Sequence, residues 1–228
     1  MQKQPKAVEK FVHDQIKKWK TIQARRELEG LPRRPVVTIS MQPGSRGSVV
    51  AEEVAKRLNY DLFNREMIKI IAQSSHMSET VIESVEKERR SGIDDFLSSL
   101  VRRHYLHPDT YLNYLMRVVS AVANHGRVVI VGRGANFILP LELRFSVRIV
   151  APLELRVKNV AETFNVSSEE AKKRVLWRQS RRTAYIRQSF NADINDPFNY
   201  EMMLNMENLS IDCAVEAIVA AVGKCREK

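Results

Sequence analysis

The chain has 228 residues, with 37 Lys+Arg against 27 Asp+Glu (formally +10 with histidine neutral); 44% are hydrophobic and 28% charged. Those proportions belong to a soluble globular chain and exclude a disordered, collagenous or membrane-embedded one; no apolar run reaches the roughly 18 residues of a membrane span. Cys213 and Cys225 are too few for a disulfide scaffold or a thiolate metal site, and the opening MQKQPKAVEKFVHDQ has no apolar signal core, so a reducing cytoplasmic location is expected.

The charge is uneven. Residues 1–35 hold ten Lys/Arg against four Asp/Glu. In this stretch Val8, Phe11, Val12, Ile16, Trp19 and Ile22 recur near helical period, which predicts a basic amphipathic helix over residues 1–34, closed by Pro32 and Pro35. Its apolar stripe must be buried on the body of the chain or against a second copy, so a homodimer through this helix is one expected arrangement. The charged face reads as solvated, and nucleic acid is not an expected partner.

PVVTIS, short and β-branched, predicts a buried strand running into the turn-rich loop MQPGSRGS. SVVAEEVAKRL, residues 48–58, predicts a helix. Tyr60 to Phe63 and a largely helical stretch to about residue 104 follow, broken at Ser91-Gly92. A helix is expected over 109–124. RVVIVG is a second buried strand, ending in Gly132-Arg133-Gly134, and FSVRIVAP a third. Helices are expected near 152–164 and 167–190, the latter opened by a Ser167/Glu170 capping box. EMMLNM is a short strand, and Ser210 opens the last helix. Apolar strands alternating with amphipathic helices predict an α/β domain over residues 35–224: a central parallel sheet covered on both faces.

In such sheets ligands bind beyond the carboxyl ends of the strands. Two loops bearing Gly and Arg leave such ends: Gly44–Ser48 and Gly132–Gly134. Strand, Gly-rich loop and helix together place backbone N–H groups around a phosphate. Gly44 and Gly47 are free to take positive φ, and Ser45 and Ser48 carry donor hydroxyls. A hydroxyl at Ser48, where the helix begins, also suits a nucleotide-bound Mg²⁺. The pattern G-x-x-x-x-G-K-[ST] fails at Met41, Arg46 and Gly47 and matches only Ser48, so by itself the loop also reads as a plain βα turn. The run Lys172, Lys173, Arg174, Arg178, Arg181, Arg182, Arg187 has no intervening acid. Arg178, Arg182 and Arg181 lie close in helical projection, so the run is either a solvated face or a set of converging guanidiniums, whose planar forks suit phosphate.

VTISMQPGSRGSVVAEEVAKRLNYDLFNREMI resembles the opening of the cytidylate-kinase-like family. VIVGRGANFIL is similar to that family's second phosphate-side loop, and the segment ending NLSIDCAVEAI to its C-terminal βα unit. The resemblance spans roughly residues 35–222. It implies a P-loop kinase of the nucleoside-monophosphate-kinase type: a three-layer α/β/α domain with a helical acceptor-binding region over 60–108 and an Arg-rich lid over 167–198. It also implies ATP as donor, Mg²⁺ as its metal, and a nucleoside monophosphate or other small acceptor. Carried over, Gly44, Ser45, Arg46, Gly47 and Ser48 would hold donor phosphates together with Arg178 and Arg181. Asn64, Arg65 and Arg133 would face the acceptor. Arg133, on the second loop, would stabilise the charge in transfer together with Arg182 and Arg187, and Arg181, Arg182 and Arg187 would belong to the lid.

The chain departs from the family pattern at several positions. Met41 stands where relatives commonly have Arg, Arg46 replaces a Gly, Ser48 replaces a frequent Arg, and Asn64 stands where Asp is usual. Asn cannot serve as a carboxylate base. Arg46 either supplies the charge of the missing lysine or obstructs the cradle. A catalytically degenerate nucleotide-binding regulator is therefore the alternative reading. His104 and His107 have metal-like spacing without further ligands nearby and read as a loop; His125 reads as a helix terminus; Trp177 reads as packing of the lid helix; Asp193 and Asp196 read as turn residues.

Overall fold

A computed structural model describes residues 35–64, 108–123 and 126–224. The expected N-terminal helix, most of the expected acceptor region, Arg65, His104, His107, His125 and Cys225 lie outside the described residues.

Strand β1 (Val36–Met41) runs into helix α1 (Gly47–Leu58), then β2 (Asp61–Phe63), α2 (Pro108–Ala123), β3 (Val128–Val131) and the short α3 (Ala135–Ile138). A 3-10 turn leads to β4 (Arg144–Val150), followed by α4 (Leu153–Phe164), the 23-residue α5 (Ser168–Phe190), β5 (Met202–Asn205) and α6 (Ile211–Lys224). The strands form a five-stranded sheet in the order β2-β3-β1-β4-β5, with every neighbouring pair parallel. The sequence pattern anticipated β1, β3, β4 and β5. It did not mark Asp61–Phe63 as a strand, because three residues carry too little periodicity.

Both faces of the sheet are buried, which explains why β1 and β3 read as unbroken apolar runs. Val37, Ile39, Val129, Val147 and Ile149 pack with Val50, Val54 and Leu58 of α1 and Ala214, Val215 and Ile218 of α6. Val36, Val128 and Ile130 point to the other face, against Leu115, Val118, Val119 and Val122 of α2. A smaller cluster, Val157, Val160, Ala171 and Val175, joins α4 to α5. The capping of α5 is as expected, since the Ser167 hydroxyl accepts from the Glu170 amide at 3.2 Å. Ser210 caps α6 through the Cys213 amide at 3.1 Å. No described helix is long and apolar enough to cross a membrane.

The chain builds outward from β1 to β3 and β2 on one side, then to β4 and β5 on the other. The boundary between β1 and β4 is therefore a topological switch point, where loops part in opposite directions and leave a crevice.

Candidate active site

All strands being parallel, the loops after β1, β3 and β4 leave at one edge of the sheet. The loop after β1 is braced there on β4: the Gln42 amide donates to the Ile149 carbonyl at 2.9 Å, and the Gln42 side-chain oxygen accepts from the Ala151 amide at 3.0 Å. Gly44 takes φ +81°, and a Cβ on it would lie 2.4 Å from the Arg156 carbonyl oxygen, so the loop touches the first turn of α4 directly. Asn159 Nδ2 donates to the Gly44 carbonyl at 2.8 Å and holds this contact.

Gly47 is used differently from the expectation. It has helical backbone, and its lack of a side chain is needed because a Cβ would lie 2.6 Å from that of Met41. Positive φ falls instead on Arg46, at φ 59° and ψ 15°, as the N-cap of α1. Arg46 makes no side-chain cap. Helix geometry leaves the N–H groups of Gly47 and Ser48 without intrahelical acceptors, and they carry the positive end of the helix dipole. Ser45 also departs from the expected role. It is 1% exposed, and its hydroxyl donates to the Gln42 carbonyl at 2.9 Å, so it shapes the loop from within. Ser48 is exposed at the first turn of α1. Arg46 is half exposed and its guanidinium reaches toward Glu162, with 3.9 Å between Nη2 and Oε2.

The second loop is left-handed over Gly132 (φ 71°), Arg133 (φ 59°) and Gly134 (φ 69°). A Cβ on Gly134 would lie 2.4 Å from the ring of Phe190, so the end of α5 seats on this glycine. Phe190 also stacks on Phe137 with centroids 5.4 Å apart. Toward the other end of α5, Gln179 accepts from Arg156 Nη1 at 2.9 Å, and Arg182 Nη1 donates to the Met41 carbonyl at 2.7 Å. One helix thus bridges both phosphate-side loops.

The Arg182 pKa is lowered to about 10 by protein packed around the guanidinium and then by the like charges of Arg178, Arg133 and Arg148, although the residue keeps an exposed surface. These like charges come from the β3 loop, from strand β4 and from α5 itself, so guanidiniums of three elements lie within electrostatic reach of Arg182. Arg178 also lies over the Phe164 ring at 5.5 Å. Arg181 lies over Trp177 at 4.7 Å, which gives that tryptophan a guanidinium to stack on. Arg187 is exposed and lies about 140° around the helix from Arg182, so the structure leaves it outside this cluster. Asn64 follows β2, separated from β1 by β3 in the sheet order. Asp193 and Asp196 have the turn roles expected of them, accepting from the amides of Asn195 at 2.8 Å and Phe198 at 3.0 Å.

Arg148, Arg156, Asn136 and Tyr200 adjoin the site and were not singled out from sequence. Arg148 alone carried a legible signal: a cation within the apolar run FSVRIV. Burial pushes Arg148 and Arg156 below the usual guanidinium range and raises the Tyr200 phenol.

The first-turn amides of α1, which lack intrahelical acceptors, the glycine contacts and the gathered guanidiniums fit the phosphates of a nucleotide. The described residues hold no group of three or more His, Cys, Asp or Glu that would bind a metal by itself. A Mg²⁺ carried by nucleotide phosphates would find the exposed Ser48 hydroxyl as its protein ligand.

Comparisons with known proteins agree with this layout. Residues 36–208 match the model of the cytidylate kinase-like family. A cytidylate kinase of Methanopyrus kandleri is 26% identical over 202 residues, covering 85% of this chain and 95% of that protein. A cytidylate kinase of Pyrococcus horikoshii is 23% identical over 188 residues, covering 82% and 88%. Among solved structures, an uncharacterized protein from Eubacterium ventriosum superposes with a TM-score of 0.62 at 18% identity, covering 84% of this chain and 99% of that one. Shikimate kinase from Acinetobacter baumannii, in complex with shikimate, superposes at 0.51 and 10% identity, covering 88% and 99%. These structural likenesses establish the α/β fold of P-loop kinases. With the family model matched over most of its length, the chain belongs to the cytidylate kinase-like family.

Proposed function

We propose that the chain is an ATP-dependent phosphotransferase that moves the γ-phosphoryl group onto a nucleoside monophosphate or another small acceptor. The observation that carries this reading is the meeting of Arg133, Arg178 and Arg182 beside the Gly44–Ser48 loop, at the carboxyl ends of β1 and β3. Phosphoryl transfer needs alignment and neutralisation of spread negative charge more than covalent help from the protein. Gly47 and Ser48 amides would hold donor phosphates, Arg182 would bridge donor and acceptor, and Arg133 would face the acceptor. Bound Mg²⁺ would neutralise the β- and γ-oxygens. The test is a coupled ADP-release assay across acceptor monophosphates, CMP included. Turnover with at least one is expected; ATP binding without turnover on any of them rejects the reading.

A second reading has one specific observation in its favour. Arg46 extends toward Glu162 at 3.9 Å, so it does not stand in for the absent P-loop lysine. A nucleotide-binding regulator would bind ATP or ADP, transfer nothing, and show no gain in rate on Asn64→Asp.

A further inference from the structure

The third residue of the run SVRIV breaks the pattern of its own strand. Arg148 lies in the middle of β4, 2% exposed, between the fully buried Val147 and Ile149. Its register partner across the switch point is Ser40, whose hydroxyl accepts from Nη1 at 2.7 Å. Nη2 donates to Asn195 at 3.3 Å, and the guanidinium lies 5.9 Å from the centroid of the Tyr200 ring. Nε is buried and has no hydrogen-bond partner. Asn136, 6% exposed at the start of α3, is nearly in the same situation: its buried Nδ2 has only the Tyr200 hydroxyl beside it, without a hydrogen bond of good geometry. Both residues adjoin Tyr200, whose hydroxyl donates to the Ile194 carbonyl at 2.8 Å.

A buried guanidinium N–H without a partner, next to a buried amide held only loosely by a tyrosine, is unusual, since buried polar groups in folded proteins are almost always satisfied. The charges compound the imbalance. Arg182 and Arg156 feel the Arg148 charge, while the acid acting on Arg148 is Asp193, on an exposed loop with one oxygen already taken by the Asn195 amide. Among the described residues these donors and cations gather without a matching carboxylate, an arrangement that suits a negative partner. The position also separates this cluster from the donor loop. Ser40 and Arg148 share the sheet face of Val36, the α2 side, whereas α1 packs on the opposite face.

We infer that Arg148 and Asn136 form the floor of a second oxyanion subsite, on the α2 side of the switch point, which binds the phosphate group of the acceptor beneath Arg133 and Arg182. The identity of the occupant rests on the proposed kinase reading; the existence of the subsite does not. The rival account is that Arg148 only pins the segment 194–195 to the sheet.

The test uses the full chain with inorganic phosphate as probe, at constant ionic strength set with chloride, with and without saturating ADP and Mg²⁺ to occupy the donor loop. Calorimetry and thermal shift should show phosphate binding that persists with ADP present and is displaced by CMP. Arg148→Met should weaken phosphate by about tenfold or more, the scale of one lost charge-assisted hydrogen bond, and raise the acceptor KM while leaving the ATP KM unchanged. Its melting temperature without ligand should not fall, because an uncompensated buried charge is removed. No phosphate response beyond the chloride control overturns the inference, as does an Arg148→Met protein with wild-type phosphate affinity. Should Arg148→Met melt early, Asn136→Ala decides, since it leaves the guanidinium and its loop contacts in place: weakened phosphate binding supports the subsite, and unchanged binding overturns it. Phosphate that CMP fails to displace overturns the assignment to the acceptor. Phosphate binding without any turnover rejects the kinase reading alone; turnover without phosphate binding rejects the subsite alone.

Discussion

Gly44→Ala and Gly132→Ala make a matched pair. Both glycines have similar backbone, with φ +81° and φ +71°, but a Cβ on Gly44 meets the Arg156 carbonyl oxygen at 2.4 Å, while a Cβ on Gly132 meets nothing within 4 Å. The left-handed conformation costs an alanine about 1–2 kcal/mol at either position, and the change in unfolded-chain entropy is common to both. Only Gly44→Ala must also push the loop away from α4, at about 1–3 kcal/mol, and strain the Asn159 bond to its carbonyl, worth about 1 kcal/mol. The difference is about 2–4 kcal/mol, and at roughly 2–4 °C per kcal/mol for a domain of this size, Gly44→Ala should melt about 4–16 °C below Gly132→Ala. Reversible thermal unfolding followed by circular dichroism measures this. Equal losses would refute the reasoning, for they would mean that the approach of the loop to α4 is soft.

Further outcomes follow from the same geometry. Arg46→Gly should stabilise the chain by about 1 kcal/mol in urea unfolding, because glycine removes the left-handed strain at φ 59° and the exposed Glu162 contact is worth little. Arg182 is exposed to solvent, which screens the like charges around it, so Arg182→Met should leave the urea-unfolding stability near pH 8 within about 1 kcal/mol of wild type; a larger change in either direction contradicts this. Phe190→Ala removes the ring that seats on Gly134 and stacks on Phe137, and should cost about 2 kcal/mol and speed limited proteolysis within α5.

The parts of the fold carried by local pattern were legible in the sequence. VVTIS and VVIV are strands because branched apolar side chains suit a sheet covered on both sides, and Ser167 and Ser210 open helices because their hydroxyls meet amides three residues on. Properties that depend on distant partners were not legible. Ser45 looks like a phosphate donor until the Gln42 carbonyl is seen to take its hydroxyl. Gly47 reads as a turn residue, yet it is small because Met41 stands over it. The placement of Arg187 away from Arg182 was within reach, since helical projection separates them. Arg148 was visible as an anomaly in its strand, but its meaning required knowing that Ser40, Asn195 and Tyr200 surround it.

Helix α5 behaves mechanically as a lever. Between Gln179, tied to Arg156, and Phe190, pressed on Gly134, lie eleven residue steps, about 16 Å of continuous rod at 1.5 Å per residue. A molecule that lifts Arg182 from the Met41 carbonyl must either snap that rod or tilt it, and a tilt of about 10° at one end displaces the other by about 3 Å. Opening above the first glycine turn and loosening above the second are thus one movement.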